Sequence, residues 1–175
     1  LYYDEAISQA RFTLHKLEGS YTRGEASRSG IRFDEKESLA SETAKYYDYS
    51  GSGYDRGHLV PAGDFKCCQA EMIETFSMSN IAPFDSTLNR HAWNELEIKT
   101  RSWARKFGTV YVITGPVFQH SYIYIGKQNE VSVPTHFFKV IFTLSSNKSI
   151  PEKVIAFILP NEPVSKFTME KRQIK

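Results

Sequence analysis

Two short blocks of this sequence bring together side chains that could carry out hydrolytic chemistry. The first block, residues 55–58 (Asp-Arg-Gly-His), places an acid, a cation and an imidazole around one glycine. The second block supplies an amide, a carboxylate and an arginine at intervals of eight and four residues, in Asn89, Glu97 and Arg101. Cleavage of a phosphodiester needs a base for water, oxygen ligands for a hard metal ion and cations for the phosphate.

A long helix is predicted to position the second block. Asp85 and Ser86 are suitable N-terminal caps, and the helix is expected to run to about Phe107, with Gly108 as its stop. At about 100° per residue, the amide, carboxylate and arginine fall within roughly 120° of one another on this helix. The polar side chains can therefore face a cleft while the rest of the helix stays anchored.

The anchor is an apolar stripe at helical spacing on the same helix. We expect the following residues to be buried in it: Trp93, Leu96, Thr100, Trp103 and Phe107. The polar trio lies on one flank of this stripe, so the helix would separate a core from a polar surface.

Strands are predicted where apolar residues alternate or where Val, Ile, Phe and Tyr accumulate. They are residues 10–17, 54–60, 109–117, 136–144 and 154–159, with loops over residues 18–53 and a short helix over residues 69–76. The prediction is an α+β domain in which a mainly antiparallel central sheet is flanked by helices.

The composition is that of a soluble globular chain. Its 175 residues fit one domain, with 41% hydrophobic and 24% charged residues. No apolar run is long enough to span a bilayer. A net charge of +2 and a pI near 8.5 permit binding to nucleic acid without indicating it.

The two cysteines, Cys67 and Cys68, are adjacent. We expect them not to form a bridge with each other, because such a bond strains the peptide between them. Neither has a partner at zinc-binding spacing, so a zinc site is disfavoured.

The sequence resembles the DNA/RNA non-specific endonucleases, the ββα-metal nucleases that include endonuclease G. Besides the Asp-Arg-Gly-His motif, the matching blocks are residues 54–62, 76–83, 88–90 with Trp93 and Glu97, 114–116, and 133–134 before 137–139. Several blocks in the family's order and spacing make the resemblance specific. It implies a ββα (His-Me finger) active-site motif on the α+β fold.

The resemblance implies roles for three residues of these blocks. His58 is expected to be the general base that activates water. Asn89 is expected to ligate Mg²⁺ directly, and Glu97 to hold a metal-bound water; Mn²⁺ could substitute because both ions suit oxygen donors. Without the resemblance, a structural histidine, a polar residue at a helix N-terminus and an exposed Glu97–Arg101 pair would be the preferred interpretations.

The resemblance also implies phosphate-binding arginines. Arg56 and Arg101 match family arginines near the scissile phosphate, although Arg56 could instead pair with an acid such as Asp55, which we expect to position the loop. One more arginine is expected upstream, and the spacing does not choose between Arg28 and Arg32. Asn80 matches an asparagine close to the site. The remaining candidates, His15, His120 and His136, lack a partner motif and are interpreted as structural.

The function implied is Mg²⁺-dependent cleavage of DNA and RNA to 5′-phosphate ends, without strict sequence preference. One alternative is a phosphodiesterase that acts on short or nucleotide-like substrates. Another is a catalytically idle nucleic-acid-binding module. Relative rates on a plasmid and on a dinucleotide or nitrophenyl ester would separate the first two.

We further expect one nuclease domain over residues 1–175, trimmed at both ends, and a possible homodimer. The amino-acid sequence at residues 52–54 and 60–65 resembles that of bacterial members of the family. This favours a secreted or periplasmic protein, with a mitochondrial protein as the alternative. The sequence does not indicate whether an inhibitor protein exists.

Overall fold

A five-stranded antiparallel sheet forms the centre of the fold in the computed structural model, which describes residues 1–35, 44–119, 123–127, 129–145, 147 and 150–168. The strand order is β1-β2-β5-β8-β9. Their bounds are β1 Tyr2–Asp4, β2 Gln9–Glu18, β5 Thr109–Val117, β8 His136–Leu144 and β9 Pro151–Pro160. The predicted fold class, α+β with an antiparallel central sheet, is confirmed.

A separate hairpin lies beside this sheet. It pairs β3 (Tyr54–His58) with β4 (Ile81–Asp85) in antiparallel register, and His58 lies opposite Ile81. A helical segment follows β4 directly, so the chain forms the ββα unit that the resemblance implied. Two more short strands, β6 (Tyr124–Ile125) and β7 (Val131–Ser132), pair with each other.

Position 57 of this hairpin has room only for glycine. A Cβ atom at position 57 would lie only 2.0 Å from the ring of Phe84 on the paired strand. That ring stacks on Phe137 with 3.5 Å between centroids and also contacts Trp93. The glycine of the motif therefore lets β3 lie against the aromatic core.

The helical segment begins and ends where the sequence predicted. The Asp85 side chain accepts hydrogen bonds from the backbone N–H groups of Thr87 and Leu88, at 2.9 and 3.0 Å. Gly108 follows the last turn with a φ of 82°. The interior differs from the prediction, because α2 (Ser86–Leu88) and α3 (Asn94–Phe107) are joined by a π turn over Asn89–Trp93.

The predicted apolar stripe holds for its first half only. Trp93, Leu96 and Thr100 are buried, as expected. Trp103 is only partly buried, Phe107 is 40% exposed, and Ala104 is buried instead. The small side chain of Ala104 packs among residues of the sheet, and this close approach of the last turns leaves the bulky rings at the edge of the contact.

The short connections follow the prediction in outline. Helix α1 spans Gln69–Glu74. Within residues 18–35 and 44–53 the chain forms 3-10 turns at Gly19–Thr22 and Tyr46–Tyr49, and other 3-10 turns lie at Glu5–Ile7, Ala62–Phe65 and Met78–Asn80. None of the helices among the described residues is long and apolar enough to cross a membrane. His120 lies outside the described residues.

The expectation about the cysteines was wrong. Cys67 and Cys68 form a disulfide although their Cα atoms are only 3.8 Å apart. They lie in the turn between the 3-10 turn Ala62–Phe65 and α1, where Cys67 is exposed. Because this turn belongs to neither a helix nor a strand, its backbone can adopt the conformation that the bond requires.

Candidate active site

An open cleft of about 400 Å³ gathers most of the predicted site residues. The hairpin contributes the end of β3, and the helical segment contributes the π turn and the first half of α3. The predicted residues that line the cleft are Arg28, Arg56, His58, Asn89, Glu97 and Arg101. Side chains from distant parts of the sequence therefore share one surface.

His58 is the last residue of β3 and lies between aromatic rings. Its imidazole contacts the edge of Phe76 at 4.8 Å between centroids and the ring of Phe33 at 5.8 Å. Its Nε2 is shielded from solvent and makes no hydrogen bond to the described residues. Burial, followed by the positive charge of Arg28, lowers the pKa of His58 to about 4. The imidazole is therefore neutral at pH 7.

Asn89 is oriented by the acid of the motif. Its Nδ2 donates to Oδ2 of Asp55 at 3.0 Å, which leaves the amide Oδ1 for another partner. Asp55 also accepts two hydrogen bonds from Arg90, at 2.9 and 2.8 Å. Burial opposes the charged form of Asp55, but the bonds from Arg90 and Asn89 prevail and hold its pKa below the ordinary value.

These contacts change one interpretation and support another. The ion-pair partner of Asp55 is Arg90 rather than Arg56. Asp55 fixes the position of the amide that the resemblance assigns to the metal, which is a positioning role for its carboxylate. An amide nitrogen bound to a carboxylate assigns the amide orientation, because only the NH₂ group can donate.

The donor set of the cleft fits Mg²⁺. No group of three or more His, Cys, Asp or Glu side chains that could hold a metal occurs among the described residues. One amide oxygen with one nearby carboxylate matches an ion that keeps most of its water ligands. Glu97 supplies that carboxylate, with a side chain that is 14% exposed. Its burial raises its pKa to about 7, against the opposing effect of the Lys139 charge.

Lys139 is a buried cation beneath this part of the site. It is 1% exposed, its Nζ donates to Oγ1 of Thr114 at 2.7 Å, and it lies 4.7 Å from the ring centroid of Trp93. Burial lowers its pKa to about 8, while the negative charge of Glu97 raises it. Since Trp93 and Glu97 are one helical turn apart, the ammonium lies on the core side of the helix that carries the carboxylate.

The arginines are held in different ways. The guanidinium of Arg56 lies 3.8 Å from the ring centroid of Tyr46 and donates to the backbone oxygen of the same residue at 3.1 and 3.2 Å. Arg101 donates to Asp64 at 3.1 Å, and its distance to Glu97 is 4.0 Å. Arg28 lines the cleft, whereas Arg32 is exposed and does not line it.

The family profile for DNA/RNA non-specific endonucleases matches residues 1–175. This chain belongs to the DNA/RNA non-specific endonuclease family. It is 40% identical to the mitochondrial endonuclease G of Bos taurus over 175 residues, which cover 94% of this chain and 58% of that protein. It is 38% identical to the mitochondrial nuclease EXOG of Danio rerio, with 94% and 51% covered. The chain thus spans little more than half of these relatives.

A solved structure agrees with this membership of the nuclease family. The EndoG chain of a crystal structure that describes the EndoG/EndoGI complex and EndoG inhibition superposes with a TM-score of 0.85 and 33% sequence identity. The match covers 95% of this chain and 73% of that chain. The ββα unit and its surrounding sheet are therefore shared with a solved nuclease.

Asn80, which matches a family asparagine close to the site, lies beside the cleft and outside its lining. It is buried and does not line the cleft. Its Oδ1 accepts from the backbone of Val60, and its Nδ2 donates to the backbone oxygens of Val60 and Thr75, at 3.0, 2.9 and 2.8 Å. Asn80 therefore fixes the segment that follows His58.

The cleft is also lined by polar residues that the sequence did not single out. Lys66, Arg90 and Asn94 also line the cleft. Arg90 could have been found, because it lies inside a quoted block beside Asn89. Lys66 could not have been found, since it belongs to no motif. The Nζ of Lys66 donates a hydrogen bond to the backbone oxygen of Ala26 at 3.1 Å.

Proposed function

We propose that this chain is the catalytic part of a Mg²⁺-dependent endonuclease that hydrolyses phosphodiester bonds in DNA and RNA and leaves 5′-phosphate ends. The observation that carries the proposal is the single cleft shared by a neutral imidazole, an oriented amide oxygen, a carboxylate and several arginines. The names of the relatives support a nuclease. The resemblance of the motifs is the source of the Mg²⁺ preference and of the product ends.

His58 serves as the general base in this proposal. Because burial and the charge of Arg28 lower its pKa to about 4, the ring carries no proton at pH 7 and is in the form that a general base requires. Such a base contributes about 10²–10⁴ in rate. Its packing against Phe76 limits the motion of the ring, which favours a constant geometry of attack.

Asn89 and Glu97 would hold the ion, Asn89 through Oδ1 and Glu97 through a bound water. The chemistry that Mg²⁺ supplies when bound is Lewis-acid stabilisation of the phosphate and of the leaving oxygen. Asp55 keeps the Asn89 oxygen available by engaging the amide nitrogen. Mn²⁺ is expected to substitute, because it also accepts oxygen ligands.

Arg28, Arg56 and Arg101 bind the phosphate backbone in this proposal. Guanidinium groups can engage phosphate oxygens bidentately, and negative charge grows on these oxygens as the bond breaks. Between the two upstream arginines we select Arg28, because it lines the cleft and Arg32 does not. Contacts to phosphate carry no sequence information, which agrees with cleavage of varied sequences.

The test is the incubation of supercoiled plasmid and of a structured RNA with the protein in Mg²⁺, in Mn²⁺ and in chelator. His58→Ala and Asn89→Ala are compared with His136→Ala, a histidine at the start of β8 that does not line the cleft. We expect metal-dependent loss of both substrates with the native protein and with His136→Ala. We expect a loss of about 10²–10⁴ in rate for His58→Ala.

Other results would lead elsewhere. Absence of cleavage in either metal, with binding that persists in chelator, would favour an idle binding module. Cleavage of a nitrophenyl ester or dinucleotide but not of the plasmid would favour the phosphodiesterase on short substrates. Mapping of the cut ends with a kinase that labels only 5′-hydroxyl ends tests the product chemistry.

Compartment and partners belong to the same proposal. The mitochondrial names of the relatives support the mitochondrial alternative over export. The inhibitor complex of the solved neighbour supports a search for an inhibitor protein that binds this chain. A homodimer stays a prediction, which sedimentation of the purified protein would test.

A further inference from the structure

We propose that Asp64, held by His15, is a positioning residue that orients Arg101 toward the phosphate. The inference rests on the proposed function of the cleft and names a residue that no motif singled out. Asp64 belongs to the 3-10 turn Ala62–Phe65, which follows the His58 strand. It does not line the cleft, so it acts on substrate only through another side chain.

Both carboxylate oxygens of Asp64 are engaged. Oδ1 accepts a hydrogen bond from Nη1 of Arg101 at 3.1 Å, and Oδ2 lies 3.0 Å from Nε2 of His15 on strand β2. The Asp64 side chain is 2% exposed and that of Arg101 is 15% exposed. A nearly dry carboxylate that accepts two hydrogen bonds has one favoured orientation, so it can fix the guanidinium that binds it.

The surroundings of Arg101 are shaped to admit this pair. A Cβ atom at Gly63 would lie 3.1 Å from Nη1 of Arg101, so a side chain at position 63 would press against the guanidinium. The backbone N–H of Asp64 donates to the oxygen of Pro61 at 3.0 Å, which fixes the turn itself. Among the described residues, Nη1 is the guanidinium nitrogen that bonds to this carboxylate, and the remaining N–H groups are left for phosphate oxygens.

The arrangement assigns separate tasks to two acids near one arginine. Glu97 lies 4.0 Å from Nη1 of Arg101, at the limit of direct contact, whereas Asp64 is hydrogen-bonded to it. Asp64 can therefore hold the arginine while Glu97 stays available to a hydrated cation. His15 blocks the second oxygen of Asp64, so that the carboxylate cannot turn toward solvent.

The experiment is a double-mutant cycle with Asp64→Asn and Arg101→Ala, read out in two ways. The first readout is kcat and KM for plasmid cleavage in Mg²⁺. The second is the affinity for a short single-stranded oligonucleotide in chelator, which needs no catalysis. Asp4→Asn is the matched control, because Asp4 also pairs with an arginine, Arg11, away from the cleft.

We expect Asp64→Asn to lower kcat by about 10²-fold with a small change in KM, because a misplaced group near the reacting atoms costs about that factor. In the Arg101→Ala background the same substitution is expected to have no further effect. Oligonucleotide affinity should fall only slightly in Asp64→Asn, in line with the small change in KM, and the double variant should bind as weakly as Arg101→Ala. His15→Gln keeps a donor for the second oxygen and should stay closer to the native protein than His15→Ala.

Additive effects of the two substitutions on kcat and on affinity would overturn the inference, as would a loss fully explained by a lower fraction of folded protein in thermal unfolding. The oligonucleotide arm separates this failure from failure of the proposed function. If the native protein cleaves nothing but the affinities of Asp64 and Arg101 variants remain coupled, the positioning role stands and the nuclease assignment fails. If cleavage is present and the coupling is absent, the reverse holds.

Discussion

The helical segment 86–107 separates two buried regions that are held together by different forces. On one side Phe84, Trp93 and Phe137 pack ring against ring, with 3.5 Å between the stacked phenylalanine centroids. On the other side Asp64, Arg101 and their neighbours are fixed by charged hydrogen bonds of about 3 Å. Packing depends on volume, whereas the charged region depends on direction. We therefore expect the first region to set the stability of the fold and the second to set the geometry of the site.

The largest expected effect is on the aromatic side. Phe137→Ala should lower the free energy of unfolding by about 3–5 kcal/mol, because it removes a fully buried ring and leaves a cavity. Chemical denaturation measures this loss. Phe138→Ala is the matched control, since the neighbouring ring lies on the other face of β8 and is only half-buried. The division into two regions would fail if both variants lost equal stability.

A smaller effect is expected where the charged side orients the amide. Asp55→Ala should weaken Mg²⁺ binding about 10–100-fold, because the group that orients a metal ligand is lost. Titration calorimetry with Mg²⁺ or Mn²⁺ measures the affinity. Arg90→Gln removes the exposed ion pair but keeps the hydrogen bond that Asn89 donates to Asp55, so the Mg²⁺ affinity of this variant should change little. Equal losses in both variants would assign the effect to charge rather than to orientation.

The smallest expected effect is a pH dependence of Mg²⁺ binding that arises from Glu97 on the charged side. The pKa of Glu97 is raised from 4.5 to about 7 by burial, so the metal-free protein holds a proton there at pH 6. Since ionised Glu97 is needed, Mg²⁺ affinity should fall by up to about tenfold per pH unit below 7. An ordinary glutamate would show no fall until about pH 4.5.

The sign for stability is the opposite of the usual one for an acid. The folded chain binds more protons at Glu97 than the unfolded chain between pH 4.5 and 7, so this group lowers stability as pH rises through that window.

Titration calorimetry at pH 6, 7 and 8 tests the pH dependence of Mg²⁺ affinity, with Glu97→Gln as the control that lacks the titrating group. A pH dependence that survives in Glu97→Gln would contradict the assignment.

Much of the fold was predictable from local patterns. Strands β5 and β8 have the predicted bounds, because β5 is rich in Val, β8 is rich in Phe, and both bury one face. Strand β4 was missed, since Ala82 and Pro83 have low strand propensity; Pro83 is tolerated opposite Arg56 in a two-stranded hairpin. The π turn was missed because its residues have ordinary helix propensities.

The site was predictable only where its residues sit in motifs. His58, Asn89 and Glu97 were proposed from the sequence, and the structure brings them to one cleft. The pair of His15 and Asp64 was not, since 49 residues separate them and no local pattern joins a strand to a distant turn. The sequence also could not predict that burial lowers the pKa of His58 and raises the pKa of Glu97, because burial depends on the folded structure.

The π turn at Asn89–Trp93 makes chain length itself a determinant of the site. An i→i+5 turn holds one residue more than the α-helical turn that it replaces. A regular α-helix over the same residues, without the π turn, would rotate Asn89 by about 100° relative to Glu97. Relatives that preserve the interval between these residues would thus preserve a helical phase. The extra residue of the π turn therefore sets the face of the helix on which Asn89 lies relative to Glu97.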